Sequence, residues 1–318
     1  MTSPTFYYIK EKIDLGKFKD RSLITFCISS YRNIAYMAVV ESTGISDVGR
    51  KRKKNEDALY IDNSINLFVV ADGMGGHNAG EVASAIVVDT IRDYMGRFID
   101  NKIDAEELED SDDSVSQEAN RLVSGIHLAN KGIYSLSKSN ESYEAMGSTV
   151  SAVLFTKENL IAANVGDSPI YLIHNDSIEL LSVPHTVLAE QMAIDPQNAK
   201  MFEHHFKHML TQAVGIGETI KPDVCETPFF KGDILVLSSD GLSDNVTPDE
   251  ILEIVRTEHP QKACRALVDL ANERGGNDNI TVIVLKVKDK KNQNGLLKGL
   301  ISKIRSIFKV FFIFTNLY

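Results

Sequence analysis

The order of apolar runs along the chain constrains its fold more than any other feature. Short runs of strand character stand at residues 37–40, 67–71, 151–155, 160–165, 170–173, 178–183, 234–237 and 280–287. Between the second and third, Ala83, Ile86, Val87, Thr90, Ile91, Tyr94 and Phe98 recur at i, i+3, i+4, i+7 spacing, and so do Leu122, Ile126, Ala129, Ile133 and Leu136. That period predicts two helices. A second helical pair, over 248–256 and 261–273, precedes the last run, with Thr247 placed to cap the first of them. Asn175-Asp176 separates two runs and reads as a hairpin turn, and the acidic stretch 104–118 reads as a solvated loop. Helices kept apart from consecutive hairpins argue for antiparallel sheets with helices outside rather than for alternating βαβ units. The expected fold is α+β, a four-layer α/β/β/α sandwich of two mainly antiparallel sheets flanked by helix pairs.

Three acidic clusters sit at the ends of those strands. Ala71-Asp72-Gly73-Met74-Gly75-Gly76-His77 and Ser238-Ser239-Asp240-Gly241 each follow an apolar run, and Gly275-Gly276-Asn277-Asp278-Asn279 immediately precedes one. A buried strand ending in Asp-Gly delivers a carboxylate to the rim of a sheet, where glycine allows close approach to the backbone. Three such carboxylates would repel one another unless a cation joined them, and hard divalent ions such as Mg²⁺ or Mn²⁺ favour oxygen donors. A single Asp-Gly is usually just a turn. Their combination with the charged stretch 49–57, which includes Arg52, Glu56 and Asp57, carries the metal reading, because a guanidinium presents a planar fork matched to phosphate oxygens.

Composition sets the outer bounds. The 318 residues are 43% hydrophobic and 25% charged, as in an ordinary globular protein of one large or two small domains. Cys27, Cys225 and Cys264 are scattered without metal-ligand spacing, which suggests a reducing compartment and a cytoplasmic location. From residue 286 onward eight Lys or Arg face one acid, Asp289, so of the net charge of −10 the tail carries +7 and the rest −17. An acidic body disfavours nucleic acid and suits a protein that gathers cations. Residues 1–36 read as an N-terminal extension without a signal peptide. Residues 290–318 read as a basic amphipathic tail, Leu297, Leu300, Ile301, Ile304, Ile307, Phe308 and Phe311 lining one helical face, suited to peripheral membrane or protein contact through 294–318.

Together these motifs resemble the metal-dependent protein phosphatases, the type 2C serine/threonine phosphatase family, in compact bacterial form. The resemblance runs from about Thr43 to Lys288. It takes in Arg52-Lys53-Lys54-Asn55-Glu56-Asp57, the Asp72-to-His77 box and Met146-Gly147-Ser148-Thr149, then Asn164-Val165-Gly166-Asp167-Ser168, Ser239-Asp240-Gly241 and Asp278-Asn279-Ile280-Thr281-Val282. It implies a catalytic domain over 37–289, a β-sandwich with helices outside, and hydrolysis of phosphoserine and phosphothreonine by water bridging two Mn²⁺ or Mg²⁺ ions. By the same resemblance Asp72 bridges the ions and the Gly73 carbonyl binds the second. Asp240 and Asp278 complete the first, Glu56 acts through water, Arg52 holds the substrate phosphate, and Asp57 orients nearby water or backbone. The implied partners are phosphorylated proteins, among them a cognate serine/threonine kinase and its substrates. A noncatalytic phosphoprotein-binding scaffold of the same fold is the alternative.

Several positions depart from the family pattern. Met74 stands where eukaryotic relatives have histidine, so no general acid is assigned, and His77 reads first as a structural residue. Relatives bind a third, weaker metal through an aspartate just before the Met-Gly box, where Glu144 is either its replacement or a loop carboxylate. Pro169 and Pro184 replace an Arg and an Asp, whose joint loss fits a pair. His204, His205 and His208 fall in the variable flap, 185–215; such a histidine cluster can look like a metal site, and it reads first as flap decoration.

Overall fold

The structure, a computed structural model, describes residues 38–76, 79–99, 112–157, 159–196, 206 and 208–290, and 38–290 form one compact unit. The N-terminal extension, the basic tail, His77, His204, His205 and most of the acidic loop lie outside the described residues.

Two sheets are stacked face to face. One holds β1 (Ala38–Asp47), β11 (Ile280–Lys290), β10 (Ile234–Ser238), β7 (Ile170–His174) and β8 (Ser177–Leu180), in that order. The other runs β2 (Asp57–Asp62), β3 (Leu67–Met74), β5 (Val150–Phe155), β6 (Asn159–Val165) and β9 (Asp223–Pro228), with the two-residue β4 (Gly147–Ser148) pairing β3. The pairings are antiparallel throughout. Asn175 and Asp176, at φ 48° and 61°, close the β7–β8 hairpin with two left-handed residues, the geometry that matches strand twist.

Strand periodicity sorts side chains between the layers. On β3, Phe68 and Val70 point into the inter-sheet core with Val153, Phe155, Leu235, Leu237, Ile283 and Leu285. Leu67, Val69 and Ala71 point the other way, against α1 (Ala79–Ile99) and α2 (Gln117–Ser139), where Val87, Ile91, Leu122, Ile126 and Ile133 bury the faces predicted from their spacing. On β11, Ile280, Val282 and Val284 pack outward onto α5 (Pro248–Thr257) and α6 (Pro260–Glu273). Edge-to-face contacts join Phe68 to Phe155 at 6.1 Å and Phe155 to Phe229 at 5.1 Å, filling the space between the sheets with rigid rings. Four layers result, as expected. Thr247 caps α5 through a full capping box with Glu250, which Arg274 also grips with both arms at 2.7 and 2.6 Å.

The strand ends differ from the sequence expectation at the sheet edges. β1 runs on to Asp47, β8 stops at Leu180 rather than 183, and β2 and β9 were not anticipated. All four are edge strands, buried on fewer sides than the central ones. α2 begins at Gln117, so the predicted loop ends two residues early. The flap contains a helix, α3 (Val187–Ile194), capped by Thr186.

Candidate active site

β10 and β11 are antiparallel neighbours, Ser238 opposite Val282, so the end of one and the start of the other meet at a single rim. Asp240 opens the short helix α4 (Asp240–Ser243) just past β10, and Asp278 stands two residues before β11. β3 brings Asp72 to that rim from the other sheet, paired across β2 with Asp57. The Ser239 hydroxyl donates to Asp57 at 2.8 Å and receives the Thr281 N–H at 3.0 Å, tying the two sheets together beneath the carboxylates.

Each sequence motif has a mechanical task here. Thr149 accepts the Asp72 N–H on its hydroxyl at 3.0 Å, and its own N–H donates to the Asp72 carbonyl at 2.8 Å. The Ser148 hydroxyl donates to the same carbonyl at 3.0 Å, so Met146-Gly147-Ser148-Thr149 fixes the backbone that aims Asp72. Asn279 accepts the Glu56 N–H at 2.8 Å and donates to the Val48 and Lys54 carbonyls at 3.0 and 2.8 Å. The Arg50 and Lys51 N–H groups donate to the Gly276 carbonyl, at 2.8 and 3.1 Å. The 48–56 loop is thus stitched to the 275–279 turn, and Arg52 reaches Asp278 at 2.7 Å while staying half exposed at the mouth.

The electrostatics are those of crowded oxygens. Burial, then the charges of Asp57, Asp240, Asp278 and Asp167, hold the Asp72 carboxyl well above the usual carboxylate range. Burial pushes Asp57 up to about 6, with Asp240 and Asp278 adding to the effect, and burial with Asp240 pushes Asp167 up to about 7. Burial also raises Glu56, partly offset by Arg52. Desolvation and like charge each disfavour the ionised form, and a bound cation reverses both. An all-oxygen donor set of this kind fits a hard divalent ion. Glycine keeps one side of it open. The Gly73 carbonyl oxygen and a Glu56 carboxylate oxygen each lie 2.8 Å from where a Cβ on Gly80 would stand, so only glycine at 80 leaves both unhindered.

Gly73 is equally constrained: a Cβ there would stand 2.0 Å from the Gly80 carbonyl oxygen and 2.5 Å from that of Glu56. Both are backbone atoms that cannot swing aside. Gly73→Ala is expected to cost about 3 kcal/mol in urea unfolding, the upper range for overpacking.

Glu144 is exposed and ends the 3₁₀ turn Glu141–Tyr143, its N–H donating to the Glu141 carbonyl at 3.2 Å. Among the described residues, one group of ligand atoms falls within 4.8 Å of one another, and it comprises Asp167, His208 and Asp240. Asp167 follows β6 in a Gly-Asp step, the strand-end signature already noted at 72 and 240 in reversed order, so a signal for it existed. His208 gave only the weak signal of a histidine cluster, because its place depends on non-local pairing of the flap. Around the two prolines, His185 donates its N–H to the Gly166 carbonyl at 2.9 Å and Leu181 to Ile170 at 2.8 Å, so positions 169 and 184 lie on facing arms of one ladder. The His185 ring, buried, accepts the Gly166 N–H at 3.1 Å and meets Asp223 at 2.5 Å.

A four-layer sandwich with half-buried carboxylates gathered at one rim fits a metal-dependent class of protein. Residues 49–275 match the model of the family described as protein phosphatase 2C. The chain is 35% identical over 245 residues to a putative protein phosphatase 2C-type from Streptococcus pyogenes, covering 76% of this chain and 94% of that one. It is 33% identical over 248 residues to the serine/threonine phosphatase stp of Listeria monocytogenes, covering 76% and 93%. The solved catalytic domain of the serine/threonine protein phosphatase PstP with two manganese ions superposes with a TM-score of 0.66 at 29% identity, over 80% of this chain and all of that one. The chain belongs to the protein phosphatase 2C family.

Proposed function

We propose that this chain is a metal-dependent serine/threonine protein phosphatase that hydrolyses phosphoserine and phosphothreonine in proteins. The observation that carries the reading is Asp72, half-buried at the rim with the charges of Asp57, Asp240, Asp278 and Asp167 all bearing on it. A scaffold that only bound phosphoproteins would have no use for so costly an arrangement of desolvated carboxylates.

Asp72 and the Gly73 carbonyl, with Asp240 and Asp278, are the residues that would hold two divalent ions, Glu56 reaching one of them through water. Bound there, Mn²⁺ or Mg²⁺ supplies Lewis acidity toward phosphoryl oxygens and lowers the pKa of water toward neutrality. The chain's own residues do the rest. Arg52, anchored at one arm by Asp278 at 2.7 Å, turns its fork toward the mouth, where it receives the substrate phosphate and steadies charge that spreads over the non-bridging oxygens. Asp57, held by Ser239, keeps β2 and the 48–56 loop aligned beneath that phosphate.

Substrates are phosphorylated proteins, which we take to include a cognate serine/threonine kinase and its targets, in the cytoplasm. No helix among the described residues is long and apolar enough to cross a membrane. The 294–318 segment is assigned a peripheral membrane or protein contact, which liposome co-sedimentation with and without it would check.

Hydrolysis of a phosphothreonine peptide should require added Mn²⁺ or Mg²⁺ and stop with EDTA; metal-independent turnover would overturn the reading. Arg52→Ala should lower kcat/KM by about 10²-fold, and Arg52→Lys should recover little of it, because an ammonium cannot reproduce the two-armed grip.

A further inference from the structure

His208 is brought to the acidic rim by backbone pairing rather than by chance of a long loop. The adjacent Met209 carbonyl accepts the Val187 N–H at 2.8 Å, Thr211 donates its N–H to the His185 carbonyl at 2.9 Å, and Thr186 and Leu210 form an antiparallel bridge. Further on, Ser148 and Val214 exchange both hydrogen bonds, at 2.9 and 2.8 Å. The flap segment that carries His208 is therefore tied at one end beside β4, whose neighbour Thr149 fixes Asp72.

The ring lies between two carboxylates. Its Nδ1 stands 3.6 Å from Asp240 Oδ2 and its Nε2 stands 3.5 Å from Asp244 Oδ2. Both separations exceed the 2.7–3.2 Å of a made N–H···O bond. They match two donors sharing one cation: bonds of about 2.1 Å at angles from octahedral to tetrahedral leave ligand atoms about 3–3.5 Å apart. Asp167 completes the group, since its ligand atom, that of Asp240 and a His208 nitrogen all fall within 4.8 Å. Asp167 is itself held in place from below. Ser168, its neighbour, shares a hydrogen bond with Thr149 at 2.7 Å and accepts the Ser151 hydroxyl on its carbonyl, and Gly166 takes φ 103° to make the turn. A carboxylate on the far side of a ligating imidazole orients the ring and raises its basicity, and Asp244 occupies that position.

We infer that His208 is a nitrogen ligand from the flap which, with Asp167 and Asp240, forms a further divalent-metal site beside the proposed pair, so that an ion bound there holds the flap against the catalytic rim. An imidazole in the donor set favours Mn²⁺ over Mg²⁺, which keeps to oxygen and to its own waters. Glu144, the position that the resemblance offers for a third ion, is not part of this group. The inference rests on the reading of Asp240 as a metal ligand given above.

The test uses the full chain, stripped of metal and titrated with Mn²⁺ alone. Spin-echo modulation of bound Mn²⁺ should show ¹⁴N coupling in the parent protein. In His208→Gln that coupling should vanish, and the binding isotherm should lose its weakest site, or weaken it by at least about 10-fold, with the tighter sites kept. His208 is more than half exposed, so the substitution leaves packing intact. A ¹⁴N coupling that persists in His208→Gln, or is absent from the parent, overturns the assignment. Asp72→Asn separates the two readings. If it loses Mn²⁺ while His208→Gln loses neither nitrogen coupling nor a site, the ligand alone is wrong. If His208→Gln loses the coupling while Asp72→Asn binds Mn²⁺ as the parent does, the ligand stands and the proposed pair falls.

Discussion

Asp72→Asn should melt several degrees above the parent protein when both are metal-free at pH 7.5, while its hydrolysis of a phosphothreonine peptide falls by at least about 10³-fold. The two effects have one origin. Asp72 is half-buried among Asp57, Asp240, Asp278 and Asp167, and without a cation its ionised form is disfavoured by desolvation and by these four carboxylates. An amide of the same shape removes the charge and keeps the volume, so folding becomes easier. The same substitution deletes the proposed bridging oxygen charge, so added Mn²⁺ should raise the melting temperature of the parent far more than that of the variant. A variant that is less stable than the parent without metal, or that keeps full turnover, would show that Asp72 is an ordinary structural aspartate.

The metal-free protein should also lose stability as pH rises from about 4 to 8. The sign follows from the direction of the shifts. Asp57 and Asp167 are raised in the folded state, to about 6 and about 7, above an unfolded value near 3.8. The folded state therefore binds more protons through that window, and the stability present below the unfolded value is lost as pH climbs through the folded ones. Each unit is worth about 1.4 kcal/mol, so the combined loss amounts to several kcal/mol before other groups contribute. Mn²⁺ should reverse the trend, because the ion replaces the protons, and its stabilisation should grow with pH. Urea midpoints at pH 5 and 8, with EDTA and with Mn²⁺, measure both. A metal-free midpoint that is flat or rises across that interval would contradict the electrostatic description of the rim.

Much of this architecture was legible because the central strands are buried on both faces. Phe68, Val69 and Val70, or Leu235, Val236 and Leu237, form continuous apolar runs that admit few other readings, and α1 and α2 show a clean helical period. The errors fall on β1, β2, β8 and β9, which are the edges of the two sheets. Asp57–Asp62 is half-buried along its whole length and carries no alternation to detect, and Asp223–Pro228 mixes Cys, Glu, Thr and Pro in a strand with one neighbour. At the rim, Asp72, Asp240 and Asp278 were readable because each adjoins a strong strand. His208 was not, because its position is set by pairing with residues some twenty places earlier and by bridges to β4. Glu144 rests on the resemblance to relatives that carry an aspartate just before the Met-Gly box; it ends a 3₁₀ turn and is exposed, which fits its reading as a loop carboxylate.

The Asn279 side chain, with its three links to Val48, Lys54 and Glu56, has a consequence for anyone grafting specificity between relatives. The phosphate-facing arm and the turn bearing Asp278 behave as a single interchangeable cassette rather than as two separate loops. Chimeras that transplant 48–56 without 275–279 would inherit a recognition arm with no matching socket, and should misplace Arg52 even where every individual residue is acceptable.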